Sequence, residues 1–536
     1  MQCQHIDIDI LRSSRKAIGM LNRLRKLSCS SFSSSSVHQP GDRGNTAPSP
    51  ETTSKRAPRE GLLSGLPEGQ PSRTGHAKDK PYYSSKRNPN ISFNPTAMPA
   101  SNRAVPQSVT CRHLSISWIE NPNFLEVAQS AESIRRYFAA PETSRDRAEQ
   151  RYASAMHTDE AFKRCVGNAQ FGHWLEDTFK ALRTSGRTET TALVVTLEHA
   201  MALRMQRKTE ADGSERICVT CYDPNRTSAH LRFEASTSKQ LRARSLAECF
   251  GPEYFGDEAS LCCTTISQDI ATSRPVLAFA PSSAGLAALS QLATHALATG
   301  QSATVRAVLA QLAAAGIAGT DAINALLDCR NRKSGAPGFA LALQNGHTEA
   351  LQAFMYGLPA LGVTGAHALP LLSARRRDGV TGLMAAMQCN HAETVAAWLD
   401  GLHAVGLYRG EAASLLGGAL PNGTTAHYLA FQFGNTEAVT AWLARLPALG
   451  IQAREAAALL GASLSNGWTP LIAAMNGGHA DTVRALLESL TQLGLSQAQI
   501  ASVLYAQTSN GATGLSLAQA KGHTAAVDVF LAAAPV

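Results

Sequence analysis

No run of about 18 apolar residues occurs anywhere in the 536-residue chain, which excludes a membrane-spanning helix and argues against a Sec-type signal peptide. Cysteine is sparse: eleven residues, odd in number and scattered. That excludes a small disulfide scaffold and fits a reducing working compartment. Cys218-x-x-Cys221 has only the adjacent pair Cys262-Cys263 to complete four zinc ligands, so two cysteines within a strand is the favoured reading. Positive charge is missing where a nucleic-acid binder would need it. The net charge is +8, but residues 1–105 hold 16 basic and 7 acidic side chains, and the rest of the chain 33 and 34. The globular part is therefore nearly neutral, and nucleic acid is not the expected partner.

What is present falls into three segments. Residues 1–105 are rich in Ser, Pro, Gly, Asn and Arg, including SCSSFSSSS at 28–36. Such composition buries too little apolar area to offset its ordering entropy, so a disordered leader is expected. A mitochondrial transit peptide and a secretion leader share this composition, and the leader alone does not separate them. Residues 106–275 read as a mixed α+β domain. LEVAQSAESIRRYF and HWLEDTFKALRT carry helical apolar spacing, while TTALVVTLEHAMALRMQRK and SERICVTCYDP read as strands about an Asp-Gly turn. Two to four domains are expected from length.

From 280 to 536 the chain repeats itself. Gly346-His347, Asn390-His391, Gly434-Asn435, Gly478-His479 and Gly522-His523 recur every 44 residues. The best copy, NGWTPLIAAMNGGHADTVRALLESL (466–490), resembles the ankyrin repeat. Thr469 is its expected N-cap and Pro470 its first helical residue, with Thr381, Thr425 and Thr513 equivalent. Ankyrin repeats have a period of about 33 residues. The extra residues, as in REAAALLGA and SQAQIASVL, are expected to form an added short helix. A degenerate copy near 294–312 is expected to cap the stack, which buries its core only between neighbouring repeats. Histidines one per repeat lie about 10 Å apart, too far to share a metal at about 2 Å per ligand. No cofactor is expected. Of the tryptophans, Trp468 is a candidate contact residue, and the recurrent Trp398 and Trp442 are expected to pack between helices.

Chemistry is sought in the middle segment. Cys111, His199 and Asp223 occur in that order, His199 expected in one strand of an antiparallel pair and Asp223 just past the end of the other. A cysteine nucleophile needs a base, and the base needs a group that fixes its tautomer. LSISWI after Cys111 reads equally as helix or strand; a helix N-terminus there would favour thiolate. His113 is too close to Cys111 in sequence to serve easily as the base, and His173 reads as a packing residue.

The strand leading into Glu198-His199-Ala200 and the Tyr-Asp-Pro-Asn block at 222–225 resemble the His and Asp segments of papain-like cysteine proteases secreted by bacterial pathogens. The whole arrangement is similar to the EspL/OspD group of type III effectors, which join a Shigella-enterotoxin-like protease domain to C-terminal ankyrin repeats. The resemblance implies a papain-like domain with Cys111 as nucleophile, His199 as general base and acid, and Asp223 as orienting group. Gln107 is a candidate oxyanion-hole donor, beside the Cys111 backbone N–H. It also implies a leader serving type III secretion into the host cytoplasm and a secretion chaperone, and a host protein bound by the repeats as substrate. Two alternatives stay open: a deamidase or transglutaminase using the same thioester chemistry, and a non-catalytic ankyrin adaptor.

Overall fold

The computed structural model describes residues 91–93, 107–128, 130–226, 231–250, 262–271 and 283–533. The segment read as a disordered leader lies outside them, apart from strand β1 (Ile91–Phe93), which pairs antiparallel with β2 (Gln107–Val109). A six-stranded antiparallel sheet follows, in the order β3-β8-β4-β5-β6-β7. Its strands are β3 (Lys163–Gly167), β4 (Glu189–Val195), β5 (Ala200–Thr209), β6 (Glu215–Tyr222), β7 (Leu231–Ala235) and β8 (Cys262–Ser267).

Alternation along the strands builds two cores. Ala192, Val194, Met201 and Leu203 face the helix Phe171–Thr184, with Trp174 and Leu175 fully buried between. Leu193, Val195 and Ala200 face the other way, onto Ile116, Tyr152 and Met156. That second face carries α1 (Cys111–Glu120), α2 (Ala131–Ala139) and α3 (Arg145–Met156). LSISWI is thus helix. Its alternating Ser and apolar residues suit a helix buried on nearly all sides, since Leu114 through Trp118 are all buried. Cys218 and Cys221 both lie in β6 and are buried. Three residues apart on a strand, they face opposite sides and cannot converge on one ion.

One stretch departs from the sequence reading. TTALVVTLEHAMALRMQRK is two strands, not one: β4 and β5 pair as a hairpin, Val195 opposite Ala200. The turn between them has no Gly, Pro, Asn or Asp to mark it. Thr196 makes it instead, its hydroxyl accepting from the His199 N–H at 3.0 Å and its N–H donating to the His199 carbonyl at 2.8 Å.

From Ser283 the chain is helical. Pairs such as Pro470–Gly477 with Ala480–Gln492 stack along one continuous core running from Leu289 to Phe530. Thr381, Thr425, Thr469 and Thr513 each accept from the N–H three residues on, as N-caps do. The residues beyond the ankyrin period form the added helices Arg409–Leu416, Ala453–Leu460 and Gln497–Leu504. The pair Ser283–Thr299 and Ser302–Ala314 heads the stack. Trp398 and Trp442 are buried.

The repeated histidines clasp one repeat to the one before. Nε2 of His347, His391, His479 and His523 bonds the backbone carbonyls of Ala298, Gln344, Gln432 and Asn476, at 3.1–3.2 Å. Each ring lies against a glycine of the preceding repeat. A Cβ on Gly346 would sit 2.9 Å from the His391 ring, and one on Gly478 2.7 Å from that of His523. One junction differs. Position 390 is Asn, left-handed at φ 60°, and its successor 45 residues on is Asn435, which bonds the Met387 and Gln388 carbonyls at 2.7 and 2.9 Å. Where the earlier residue gains a Cβ, the later ring is gone.

Candidate active site

Cys111 is the first residue of α1, and Thr110 before it is extended, with φ −122° and ψ 174°. The first N–H groups of a helix have no acceptor within it and present a positive dipole end, which favours an anion such as thiolate. The turn is held by an unusual capping box. Nδ1 of His113 accepts from the Thr110 N–H at 2.9 Å, so the proton sits on Nε2, which donates to Glu149 at 2.6 Å. Glu149 also accepts from Arg112 Nε at 2.7 Å. Burial, with Arg112 beside it, pulls the His113 imidazole down to about 4 against the pull of Glu149. His113 is therefore a neutral structural residue.

The far end of α1 is fixed as well. The Arg204 guanidinium lies 4.9 Å from the Trp118 ring centre, and Trp118 stacks on Tyr222 at 5.4 Å. Midway, Ser115 Oγ donates to the Ala200 carbonyl at 2.9 Å. The helix bearing Cys111 is thus bonded to the residue after His199.

His199 lies not within a strand, where the sequence reading puts it, but at the close of the β4–β5 turn, because Thr196 folds the chain back there, and Asp223 follows the last residue of β6. Because β5 and β6 pair with Ala202 opposite Tyr222, the two side chains come off the same end of the sheet. His199 Nε2 donates to Asp223 Oδ1 at 2.7 Å, and the same oxygen accepts from the Asn225 N–H at 2.9 Å. Pro224 begins a short turn that ends the strand there. The imidazole also bonds the Cys111 thiol. With Nε2 committed to Asp223, Nδ1 is left for the sulfur. All three predicted side chains therefore meet: Cys111 half-buried, His199 and Asp223 buried.

The electrostatics favour charge separation. Burial pushes the Cys111 thiol up, but His199, the Ala200 backbone and Arg112 together bring it below its ordinary value. Burial lowers His199, yet Cys111 and Asp223 outweigh it and raise the imidazole to about 10. At Cys165, by contrast, burial outweighs hydrogen bonds with Thr264 and Gln301, and the thiol is pushed up to about 11. Such an arrangement favours the thiolate–imidazolium form of the pair over the neutral one.

Gln107 lies in β2 opposite Phe93; its side chain is outside the described residues. Sequence reading missed Thr110, Arg112, Ser115 and Glu149. Thr110-x-x-His113 has capping-box spacing, but with His where Glu or Gln is usual. No group of residues able to hold a metal ion, and no helix long and apolar enough to cross a membrane, occurs among the described residues.

Comparison with known proteins agrees in both halves. Residues 68–317 match the ShET2 enterotoxin N-terminal region family, and residues 466–491 match the ankyrin repeat. The effector protease OspD3 of Shigella flexneri is 25% identical over 291 residues, 52% of this chain and 48% of that protein. The chain is similar to the OspD/EspL effectors with ankyrin repeats. Its match spans about half the length of OspD3. Among solved structures, the ankyrin repeat protein EF0377 aligns at 14% identity over 45% of this chain and 96% of its own, with a TM-score of 0.30.

Proposed function

We propose that this OspD/EspL-like protein is a cysteine protease with a papain-like domain, delivered by type III secretion into host cytoplasm. Cys111 is the nucleophile, His199 the general base and then acid, and Asp223 the orienting group. The observation that carries this reading is the continuous chain of hydrogen bonds from the Cys111 thiol through His199 to Asp223, at the N-terminus of a helix.

The thiolate adds to a peptide carbonyl, and the His199 imidazolium gives its proton to the leaving amine. A thioester remains on Cys111. His199, now neutral, takes a proton from water, which attacks the thioester and releases the acid. The oxyanion formed in each half is met by the α1 N-terminus, with the Cys111 N–H the leading donor and Gln107 a candidate. Asp223 keeps Nδ1 aimed at the sulfur in both halves. The ankyrin-like stack binds the host substrate, and the leader serves secretion and its chaperone.

The test is incubation of a host-cell lysate with wild-type protein and Cys111→Ala, followed by mass spectrometry of new peptide termini. Termini that appear with wild type and vanish in the variant, while the variant still captures its target, support the reading. Unchanged cleavage by Cys111→Ala overturns it. A target gaining about one dalton without fragmenting would assign the same thioester to deamidation.

A further inference from the structure

We propose that Asn331, in the first turn of the repeat stack, is a positioning residue for His199, so that the stack completes the catalytic site as well as binding a target. The inference rests on the reading of Cys111, His199 and Asp223 as the active site.

His199 hangs on the four-residue turn 196–199, which is held from within only by Thr196. At its tip is Leu197. The Leu197 carbonyl accepts from Asn331 Nδ2 at 2.7 Å, across 134 residues of sequence. Its side chain packs against Ala298, Ala336 and Leu341, all from the first helices and turn of the stack. The tip of the turn therefore leans on the repeats, two residues from the imidazole.

Asn331 is built to hold that bond. It is buried, and its Oδ1 accepts from the Lys333 N–H, the Ser334 N–H and Ser334 Oγ at 3.1, 2.8 and 2.9 Å. With the oxygen committed to its own loop, the NH₂ end must face Leu197. Its backbone is closed too: the Asn331 N–H donates to the Ala336 carbonyl at 3.0 Å. The reference frame is stiff. Lys163 Nζ bridges the Met156 and Thr299 carbonyls at 2.7 and 2.9 Å. Glu160 accepts from the Ser302 and Ala303 N–H groups at the start of a stack helix. The α/β region and the head of the stack are thereby bonded at several points, and a displacement of the first turn is felt at His199.

Asn331→Asp separates the two jobs of the side chain. The carboxylate can still accept from the loop donors but offers nothing to the Leu197 carbonyl. The readouts are the pH profile of Cys111 alkylation by iodoacetamide, and kcat and KM on a cleaved target. For Asn331→Asp the alkylation midpoint should move up toward an ordinary thiol. Its kcat should fall about tenfold or more at unchanged KM, the scale of a misplaced reacting group. Ser334→Ala weakens the loop but leaves the tie, and should keep the wild-type profile. Asn331→Ala gives the same measurement should the Asp variant fold poorly. A wild-type profile in both Asn331 variants overturns the proposal, as does an equal shift in Ser334→Ala. If wild-type Cys111 itself alkylates with an ordinary midpoint, the active-site reading falls first, which distinguishes the two failures.

Discussion

The two halves of this chain distribute their essential contacts in opposite ways. In the stack every device is repeated: a threonine cap, a glycine, a ring on a carbonyl. In the α/β region each device occurs once: one cysteine at a helix start, one imidazole on a turn, one carboxylate after a strand. Repetition makes damage local and graded, because each repeat touches only its neighbours. A site assembled from single residues fails as a unit.

The largest effect that tests this contrast is Cys111→Ala, which should remove cleavage altogether while leaving target capture by the stack intact; retained cleavage would break the comparison. Next is Asp223→Asn. Losing the carboxylate lowers the His199 imidazole from its raised position, so less imidazolium faces the sulfur and the Cys111 thiol titrates higher. Turnover should fall about 10²–10⁴-fold, and alkylation at pH 7 should slow. In the wild type the same logic sets a window. Thiolate forms below the usual thiol range and its imidazolium partner persists to about pH 10, so the alkylation midpoint should lie below that of an ordinary thiol.

Glu149→Ala should act on stability first. It strands a buried Arg112 and the Nε2 proton of His113, at a cost of about 3 kcal/mol in urea unfolding. In the stack, Gly434→Asn should cost about 1–3 kcal/mol by crowding the His479 ring. The pair Gly434→Asn with His479→Asn, which copies the Asn390–Asn435 junction, should recover much of it. No recovery would mean the clasp is not pairwise. Smallest is Thr469→Ala, about 1 kcal/mol for a lost cap, seen as a modest fall in melting temperature.

How much of this was legible in the sequence follows the same divide. The repeats announce themselves because identical physics recurs every 44 residues, and even the added helices could be read from REAAALLGA and SQAQIASVL. In the α/β region, His199 and Asp223 could be assigned to neighbouring strands because an Asp-Gly hairpin lies between them, with Asp223 just past its strand, but the same pattern puts His199 inside a strand and not on a turn. The β4–β5 turn could not be read, since Thr196 does by hydrogen bonding what Gly or Asn usually does by conformation. Nor could the partnership of His113 with Glu149, or of Asn331 with Leu197. Those contacts join residues 36 and 134 positions apart, and no local pattern encodes them.

The single asparagine among the glycines that precede the clasps has a consequence for how such an array can grow or shrink. Loss of the unit containing Asn390 would bring Gly346 against Asn435, a loose but permissible fit. Loss of the unit containing Gly434 would bring Asn390 against the His479 ring, where there is no room for its side chain. Units that look interchangeable by length are keyed to their predecessors, so the order of the copies is itself part of what the sequence must preserve.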